Sequence, residues 1–243
     1  MNKVALVTGS QRGIGRATII EFASRGYDVV IDYIEEEERA FELKKHVESE
    51  YGVKALTIKA DVREETDVDK MVQEIMNNFG RIDVLVNNAG IAIDKEFEDR
   101  TITDFRDTIN TNLIGPYIVA KRVGEEMMKV KRGKIVNISS TNGINAFFPT
   151  SLDYDASKAG LINLTHNLAL QFAPYINVNS IAPGWVNTEM NKDLPQDLVD
   201  DETSKIYLGR FAEPEEIAKV VAFLASDDAR YINSEIIKVD GGY

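Results

Sequence analysis

Residues 4–15 read VALVTGSQRGIG, an apolar run that passes directly into a loop with glycines at positions 9, 13 and 15. The run Val4–Val7 predicts a short buried strand, and the amphipathic pattern near 14–25 predicts a helix after the loop. Gly9 allows a tight turn, whereas Gly13 and Gly15 remove side chains where the loop must lie close to other backbone. The chain is therefore expected to begin with a strand–turn–helix unit.

The alternation of apolar runs and amphipathic stretches continues along the chain. Helical patterns lie near 36–50, 65–79, 103–130, 155–172 and 215–225. Further β-branched runs predict strands at Val29–Ile31, Ala55–Ile58, Val84–Val86, Ile135–Ile138, Val178–Ile181 and Ile236–Val239. Strands that alternate with helices predict a parallel sheet, and nearly all-apolar strands predict helices on both faces. We expect an α/β fold, a single doubly wound (Rossmann-type) domain over 1–243 with a seven-stranded parallel sheet.

Composition narrows the function classes. The 243 residues carry a net charge of −12 and contain no cysteine, which excludes disulfides and thiolate metal sites. A negative surface repels phosphate backbones, so no nucleic-acid partner is expected. His46 and His166 lack a metal-ligand spacing, and no metal is predicted. The chain has no apolar run of about 18 residues and no signal-peptide pattern. A cytoplasmic location without a membrane partner is expected.

The glycine loop has the spacing G-x-x-x-G-x-G at the end of the first predicted strand. A helix that starts there offers free N–H groups and a positive dipole end to an anion such as a pyrophosphate. Dinucleotide binding is therefore the favoured interpretation. The segment 183–210 is long and irregular, and its position at the ligand edge of the sheet is typical of a lid over a substrate.

Tyr154 and Lys158 lie four residues apart on a predicted helix, which places them on one face, one turn apart. An ammonium near a phenol favours the phenolate, so Lys158 is expected to lower the pKa of Tyr154. A phenol tuned in this way can exchange a proton with an alkoxide or an alcohol. Ser139 and Ser140 follow the strand upstream, where a hydroxyl could hold a substrate oxygen, and spacing does not choose between them.

Together these residues resemble the short-chain dehydrogenase/reductase family over essentially the whole chain. The resemblance rests on TGSQRGIG at 8–15, Asp61-Val62, NNAG at 87–90, Asn112 with Gly115, Ser140 with Gly143, YDASK at 154–158, Pro183-Gly184 with Thr188, and Asp240-Gly241-Gly242. It implies an enzyme that transfers a hydride between a nicotinamide and a carbonyl or secondary alcohol.

The resemblance also assigns roles to residues. Tyr154 would protonate the carbonyl oxygen, Lys158 would lower the Tyr154 pKa and hold the ribose, and Ser140 would bind the substrate oxygen. Asn112 would anchor a water that links Lys158 to solvent. The implied cofactor-binding residues are Gly9, Arg12, Gly13, Ile14, Gly15, Tyr33, Asp61, Val62, Asn88, Ala89, Gly90, Tyr154, Lys158, Pro183, Gly184 and Thr188.

The cofactor remains open between NADP and NAD. NAD-specific relatives carry an acid at the end of the second strand, and the aligned position here is Tyr33, with Asp32 one residue early. Alternation along a strand predicts that Asp32 points the other way. Arg12 suits a 2′-phosphate, whereas Asp32 and Glu35–Glu38 would repel one. The balance slightly favours NADP.

Within the family the chain most resembles the bacterial 3-oxoacyl-acyl-carrier-protein reductases, which implies an acyl-thioester substrate and acyl carrier protein as a partner. Two departures from those reductases keep a sugar, polyol or other secondary-alcohol dehydrogenase open as an alternative. The segment between Ser140 and Tyr154, which should border the substrate, is slightly longer and contains Phe147, Phe148 and Pro149, and residues 172–176 lack a basic residue. Lys129, Lys131 and Arg132 could form a basic docking patch or simply stabilise a helix C-terminus. A dinucleotide-sensing protein without turnover is a third alternative. The resemblance implies a homotetramer, with an interface on the helices near 103–130 and 155–172.

Overall fold

The computed structural model describes residues 2–243 and forms one seven-stranded parallel sheet with the order β3-β2-β1-β4-β5-β6-β7. The strands are β1 Val4–Val7, β2 Asp28–Tyr33, β3 Ala55–Lys59, β4 Val84–Asn87, β5 Gly133–Ile138, β6 Ile176–Pro183 and β7 Ile236–Val239. The predicted fold class and all seven strands are confirmed.

Helices cover both faces of the sheet. They are α1 Gly13–Ser24, α2 Glu37–Tyr51, α3 Glu65–Phe79, α4 Ile102–Ile109, α5 Gly115–Lys129, α6 Leu152–Phe172, α7 Gln196–Lys205 and α8 Pro214–Leu224. Successive residues of a strand point to opposite faces. Val7 accordingly packs in one apolar core, with residues of α1, α2 and α8, while Leu6 packs in the other, with residues of α3, α5 and α6. Burial of both faces explains the nearly all-apolar strands.

Two helical segments differ from the sequence-based expectation. The single helix predicted near 103–130 is divided into α4 and α5 by a π-helical turn at Asn110–Ile114. Pro116 lies in the first turn of α5 and has no N–H to donate to the carbonyl four residues earlier, so a regular α-helix cannot continue through this point. The segment 183–210, predicted to be irregular, contains helix α7.

The strand order positions a ligand site. β1 lies between β2 and β4, so the chain reverses its direction of travel across the sheet at this point. Loops that leave the carboxyl ends of strands on either side of such a point diverge and form a crevice. Within residues 2–243, no helix is long and apolar enough to cross a bilayer, and no group of three metal-ligating side chains comes together.

Candidate active site

A cleft of ≈ 410 Å³ opens at the carboxyl ends of the strands. Its β2 end is lined by Asp32, Asp61 and Val62, and its β5 end by Ser140, Tyr154 and Lys158. The other predicted site residues along its walls are Gly9, Arg12, Gly13, Ile14, Asn88, Ala89, Gly90, Pro183, Gly184 and Thr188. Of the predicted set, Gly15, Tyr33 and Asn112 do not line the cleft.

The glycine loop is the floor of the cleft, and its geometry requires glycine. Gly9 has φ +58°, and a Cβ there would lie 2.9 Å from the Cα of Ala89. A Cβ on Gly15 would lie 2.5 Å from Nδ2 of Asn88, which itself donates to the carbonyls of Thr8 and Gly9. Gly15 thus serves packing beneath the loop and does not face a ligand. The hydrogen bonds of Asn88 thus hold the loop after β4 against the loop after β1.

Helix α1 points its N-terminus into this loop. It begins at Gly13, and its N-cap residue Arg12 makes no side-chain capping hydrogen bond. The first N–H groups of a helix have no partner within the helix, and they carry the positive end of its dipole. This is the arrangement that binds the pyrophosphate of a dinucleotide, so the residues present fit such a cofactor.

At the β2 end the structure corrects the orientation predicted for Asp32 and Tyr33. Asp32 lines the cleft, and its Oδ2 accepts a hydrogen bond from the N–H of Gly9 at 3.0 Å. Tyr33 turns into the apolar core beneath α1 and α2, where its hydroxyl donates to Glu37 at 2.7 Å. The two side chains do alternate, but the cleft meets the face of the sheet that carries Asp32.

Burial dominates the electrostatics of Asp32. The side chain is 1% exposed, and its Oδ1 has no hydrogen-bond partner within the protein. Burial, with a smaller contribution from the nearby carboxylate of Asp61, raises the pKa of Asp32 to about 7, although the Gly9 N–H opposes the shift. The β2 end therefore presents an aspartic acid that keeps its proton to a much higher pH than an exposed aspartate does.

Two arginines and two glutamates form an ion-pair chain above Asp32. Glu36 lies between Arg12, whose Nε is 3.7 Å away, and Arg39, whose Nη1 is 3.3 Å away. Arg39 also reaches Glu189, in the segment after β6, at 3.6 Å. Each guanidinium thus faces a carboxylate, which is the same acceptor chemistry that a phosphate offers.

At the β5 end, Nζ of Lys158 lies 5.4 Å from the centre of the Tyr154 ring and donates to the carbonyl of Ile138 at 2.9 Å. Burial lowers the pKa of Lys158 to about 8. Burial also raises the pKa of Tyr154 to about 12, against a smaller lowering by its hydrogen bond with Ser140. The predicted lowering of the Tyr154 pKa is wrong for this structure. Because Lys158 loses its proton at a lower pH than Tyr154, its charge is absent when the phenol would ionise.

The structure distinguishes the two serines that spacing left open. Ser139 points into the sheet, where its hydroxyl donates to the carbonyl of Ile181 at 2.7 Å and accepts from Ser180 at 2.9 Å. Ser140 instead contacts the Tyr154 hydroxyl. The serine selected by the family resemblance is therefore the one beside the tyrosine.

Asn112 lies in the π-helical turn and is fully buried beside the cleft. Its amide exchanges hydrogen bonds with the backbone of Ile91, both at 2.8 Å, and donates to Ser157 at 3.1 Å. A Cβ on Gly90 would lie 3.3 Å from Oδ1 of Asn112 and 3.6 Å from Nζ of Lys158. The asparagine oxygen and the lysine thus converge on the same glycine, where a side chain would contact both of them.

The segment after β6 closes the far wall. Its residues Thr188, Met190 and Asn191 line the cleft. Behind them the Trp185 ring stacks on Phe211 at 5.3 Å and meets Phe148 edge-on at 5.7 Å, and its indole N–H donates to the buried Glu202 of α7. The Tyr243 hydroxyl donates to the same carboxylate at 2.6 Å. A single glutamate therefore connects this wall to α7 and to Tyr243.

Sequence reasoning missed several residues that the fold brings to the site. Asp32 was expected to face away, and Glu189 and Arg39 join across the cleft from separate elements. Asn142 lies two residues after Ser140, and Asp155 directly follows Tyr154 in the sequence. The signal for Asp155 was its position inside the YDASK motif, but nothing in the sequence indicated which loop its carboxylate would meet.

Comparison with known proteins agrees with this geometry. A short-chain dehydrogenase/reductase family model, described as Enoyl-(Acyl carrier protein) reductase, matches residues 9–243. The chain belongs to the short-chain dehydrogenase/reductase family. It is an oxidoreductase that uses a nicotinamide cofactor and acts on a carbonyl or CH–OH group.

Individual relatives show which members of the family this chain is similar to. The chain is 39% identical to the 3-oxoacyl-[acyl-carrier-protein] reductase FabG of Staphylococcus epidermidis over 243 residues, which cover 100% of this chain and 99% of that protein. It is 41% identical to the FabG of Aquifex aeolicus, covering 99% and 96%. Among solved structures, levodione reductase superposes with a TM-score of 0.93 at 33% identity, covering 99% of this chain and 96% of that one.

Proposed function

We propose that this enzyme reduces the keto group of 3-oxoacyl thioesters, with NADPH as the hydride donor. The proposal depends above all on one observation: Ser140, Tyr154 and Lys158 meet at the β5 end of a cleft whose floor is a helix N-terminus. The relatives named 3-oxoacyl-[acyl-carrier-protein] reductase, which match along nearly the whole chain, support this substrate class.

In the proposed reaction a nicotinamide cofactor held in the cleft would supply the hydride for the keto carbon. The Tyr154 hydroxyl gives its proton to the carbonyl oxygen as negative charge develops there. A tyrosine whose pKa is near 12 holds that proton firmly until the oxygen becomes basic, which suits the direction of reduction. Ser140 hydrogen-bonds the same oxygen, and such a fixed donor stabilises the developing alkoxide. Lys158, which lines the cleft, would hold the nicotinamide ribose, and Asn112, buried beside the cleft, would support the path by which Tyr154 regains its proton.

The preference for NADPH is supported by Arg12 and Arg39. Both side chains are about half exposed; Arg12 lines the cleft, and Arg39 pairs with Glu36 and Glu189, which line it. Their present partners are carboxylates at 3.3–3.7 Å, a loose contact. A phosphate offers a guanidinium stronger, bidentate hydrogen bonds. The partly protonated Asp32 lowers the negative charge that a phosphate would meet.

The names of the relatives support acyl carrier protein as the thioester carrier. The predicted basic docking patch gives less support, because its residues already have partners within this protein. Lys129 pairs with Glu126 at 2.7 Å, Arg132 pairs with Asp83 at 3.0 Å, and Lys131 lies over the Tyr175 ring. These contacts favour the helix C-terminus interpretation. Because these basic residues are not free to dock a carrier protein, a small ketone or secondary alcohol remains the second candidate substrate. The likeness to levodione reductase also favours this candidate.

We further propose a homotetramer in the cytoplasm, with 183–210 acting as a substrate lid. Large apolar side chains are exposed on the helices expected to form the interface, among them Ile102, Ile114, Tyr117 and Leu170. Exposed apolar surface of this kind marks association sites. Light scattering after size-exclusion chromatography would contradict the assembly if it gave the mass of a monomer.

The decisive test compares substrates and a variant. Initial rates of NADPH oxidation would be measured with a 3-oxoacyl thioester on acyl carrier protein, the same acyl group on a small thiol, and a cyclic diketone. Faster turnover of the thioesters supports the proposal, and the ratio of the two thioesters measures carrier docking. Turnover of the diketone alone would transfer the assignment to the second candidate. Tyr154→Phe is expected to lower kcat by roughly 10²–10⁴-fold while cofactor binding persists. Wild-type turnover by this variant would contradict the proton assignment.

A further inference from the structure

Asp155 follows Tyr154 directly and connects two loops that face the catalytic side chains. Its Oδ1 accepts hydrogen bonds from Nδ2 of Asn142 at 2.7 Å and from the Ser151 hydroxyl at 2.8 Å. Its Oδ2 accepts from the N–H of Phe148 at 3.3 Å. The carboxylate is half-buried and does not line the cofactor cleft. It therefore acts on neighbouring residues of the protein and not on the cofactor.

Asn142 links Asp155 to the catalytic serine, Ser140, by hydrogen bonds to both residues. The Ser140 hydroxyl donates to Oδ1 of Asn142 at 3.2 Å, and the Asn142 backbone N–H donates to the Ser140 oxygen, also at 3.2 Å. An asparagine amide has a donor end and an acceptor end, whereas a carboxylate only accepts. Asp155 therefore fixes Asn142 with its NH₂ group toward α6 and its oxygen toward Ser140.

The direction of these bonds matters for catalysis. With Asn142 fixed, the Ser140 hydroxyl points its proton at the Asn142 oxygen. One of its two lone pairs accepts from the Asn142 N–H, and the other remains free for the Tyr154 hydroxyl. A 3.2 Å O–H···O contact is longer than the usual 2.7–2.8 Å. The serine proton can therefore turn from Asn142 to a substrate oxygen at little cost. If Asn142 were reversed, its NH₂ would occupy a serine lone pair and change the hydrogen bonding around the tyrosine.

The same carboxylate holds the substrate loop. Phe148 and Ser151 belong to the lengthened segment between Ser140 and Tyr154, and the Phe148 ring packs against Trp185 on the opposite wall. One aspartate thus fixes both the hydroxyl that receives the substrate oxygen and the loop that borders the substrate.

We propose that Asp155 is a positioning residue for the reduction, which orients Ser140 through Asn142 and holds the Phe148 loop beside it. The inference depends on the proposed role of Ser140 and Tyr154. It goes further by assigning a role to a residue outside the serine, tyrosine, lysine and asparagine set. Asp155 contacts neither cofactor nor reacting atoms, so its effect must pass through its neighbours.

The charge of Asp155 gives an independent readout of its role, through the pKa of Tyr154. The groups that face Tyr154 are Asp155 and Lys158 on α6 and Asp94 on the loop after β4, and both aspartates raise the pKa of Tyr154. Asp153 is turned away, into a buried ion pair with Arg100. The neighbouring Met190 and Asn191 of the far wall are uncharged, and Glu189 is occupied by Arg39. Removal of the Asp155 charge should lower the pKa of Tyr154.

The experiment uses Asp155→Asn, which keeps the shape but can turn either end of its amide toward Asn142. We expect kcat for the thioester to fall roughly tenfold, as for other small misplacements of catalytic groups. We also expect the pH profile of the reverse, alcohol-oxidising reaction to move to lower pH. Cofactor affinity, measured by quenching of the Trp185 fluorescence on NADPH binding, should stay close to that of the wild type.

A double variant that exchanges the residues at positions 142 and 155 tests the direction of these hydrogen bonds. In the double variant Asn142→Asp with Asp155→Asn, the donor and acceptor ends exchange positions along the chain, so an oxygen again faces Ser140. Its kcat should recover toward the wild type relative to both single variants, a coupling that a double-mutant cycle measures. Asp94→Asn is the charge control, since Asp94 faces Tyr154 without contacting Asn142. It should move the pH profile with a smaller loss of kcat.

Wild-type kcat and pH profile in Asp155→Asn would overturn the proposal. It would also be overturned if kcat fell with an unmoved pH profile and no recovery in the double variant, because that combination describes a purely structural loss. The Tyr154→Phe variant distinguishes a failure of the proposed function from a failure of the positioning role of Asp155. If that variant retains turnover, the proposed function fails, and if it is inactive while Asp155→Asn is normal, only the positioning role fails.

Discussion

The Nζ atom of Lys158 lies 5.4 Å from the centre of the Tyr154 ring, one helical turn away on the same face of α6, and both groups have pKa values shifted by burial. The lysine is shifted toward its neutral form and the tyrosine is kept in its neutral form. Both shifts follow the preference of a buried site for uncharged groups, and the charge that Lys158 still carries at neutral pH therefore has a cost in stability.

Replacing Lys158 with Met should stabilise the protein at neutral pH while it abolishes turnover. The folded-state pKa of Lys158 is about 8 and the reference value is 10.5, so the unfolded chain binds the extra proton between these values. Wild-type stability therefore rises as pH increases from about 8 to 10.5, and the cost of the buried charge is fully present below pH 8. At about 1.4 kcal/mol per pKa unit, that cost is on the order of 3 kcal/mol. Urea unfolding at pH 7 and pH 10 measures it, and an equal difference between the two proteins at both pH values would contradict the prediction.

Asp32→Asn should stabilise the protein at pH 8 but not at pH 3.5. The folded state keeps the Asp32 proton up to about pH 7, whereas the unfolded chain loses it near 3.8, so wild-type stability falls as pH rises between these values. Asparagine carries no charge to bury and can still accept from Gly9. The expected gain is on the order of a few kcal/mol above pH 7. Thermal unfolding across this pH range tests it, with Asp61→Asn as the control on the same wall, and a pH-independent difference would argue against a buried acid.

Arg12→Ala should raise KM for NADPH by roughly 10–100-fold, the usual worth of one or two charge-assisted hydrogen bonds, with little change for NADH. Arg16→Ala is the matched control, because Arg16 lies one turn further along α1 and outside the cleft. Steady-state kinetics with both cofactors decide the matter. An equal loss with NADPH and NADH would remove the phosphate-binding role from Arg12.

Glu202→Gln should loosen the far wall of the cleft. Glu202 is 2% exposed and accepts from the Trp185 indole and the Tyr243 hydroxyl, while Lys205 pairs with it. Burial raises the pKa of Glu202, but the hydrogen bonds from Lys205, Tyr243 and Trp185 outweigh it and hold that pKa below its usual range. Loss of the charge should cost about 1–3 kcal/mol and raise KM for substrate more than it lowers kcat. Glu215→Gln on the surface of α8 is the control, and identical melting temperatures for the two variants would contradict the role of Glu202.

The fold was predictable because its signals are local. Val4–Val7 and the six later apolar runs have the length and composition of buried strands, and the helices between them force parallel pairing. The break at Asn110–Ile114 was not visible in the apolar periodicity of 103–130, which continues through it, and the one local signal for it, Pro116, lies outside that pattern. A π-helical turn adds one residue to a turn without changing which residue types are present.

The sequence by itself determined the parallel sheet, the glycine loop at the end of β1 and the placement of Tyr154 and Lys158 on one helical face, because each of these follows from periodicity or spacing within one short segment. Only the tertiary structure decided that Asp32 and not Tyr33 faces the cleft and that Asp155 reaches Asn142. Spacing alone left Ser139 and Ser140 open, and the structure turns Ser139 into the sheet and away from the tyrosine. Strand alternation states that neighbours point in opposite directions, but which direction is the cleft depends on how the strand packs against loops distant in sequence.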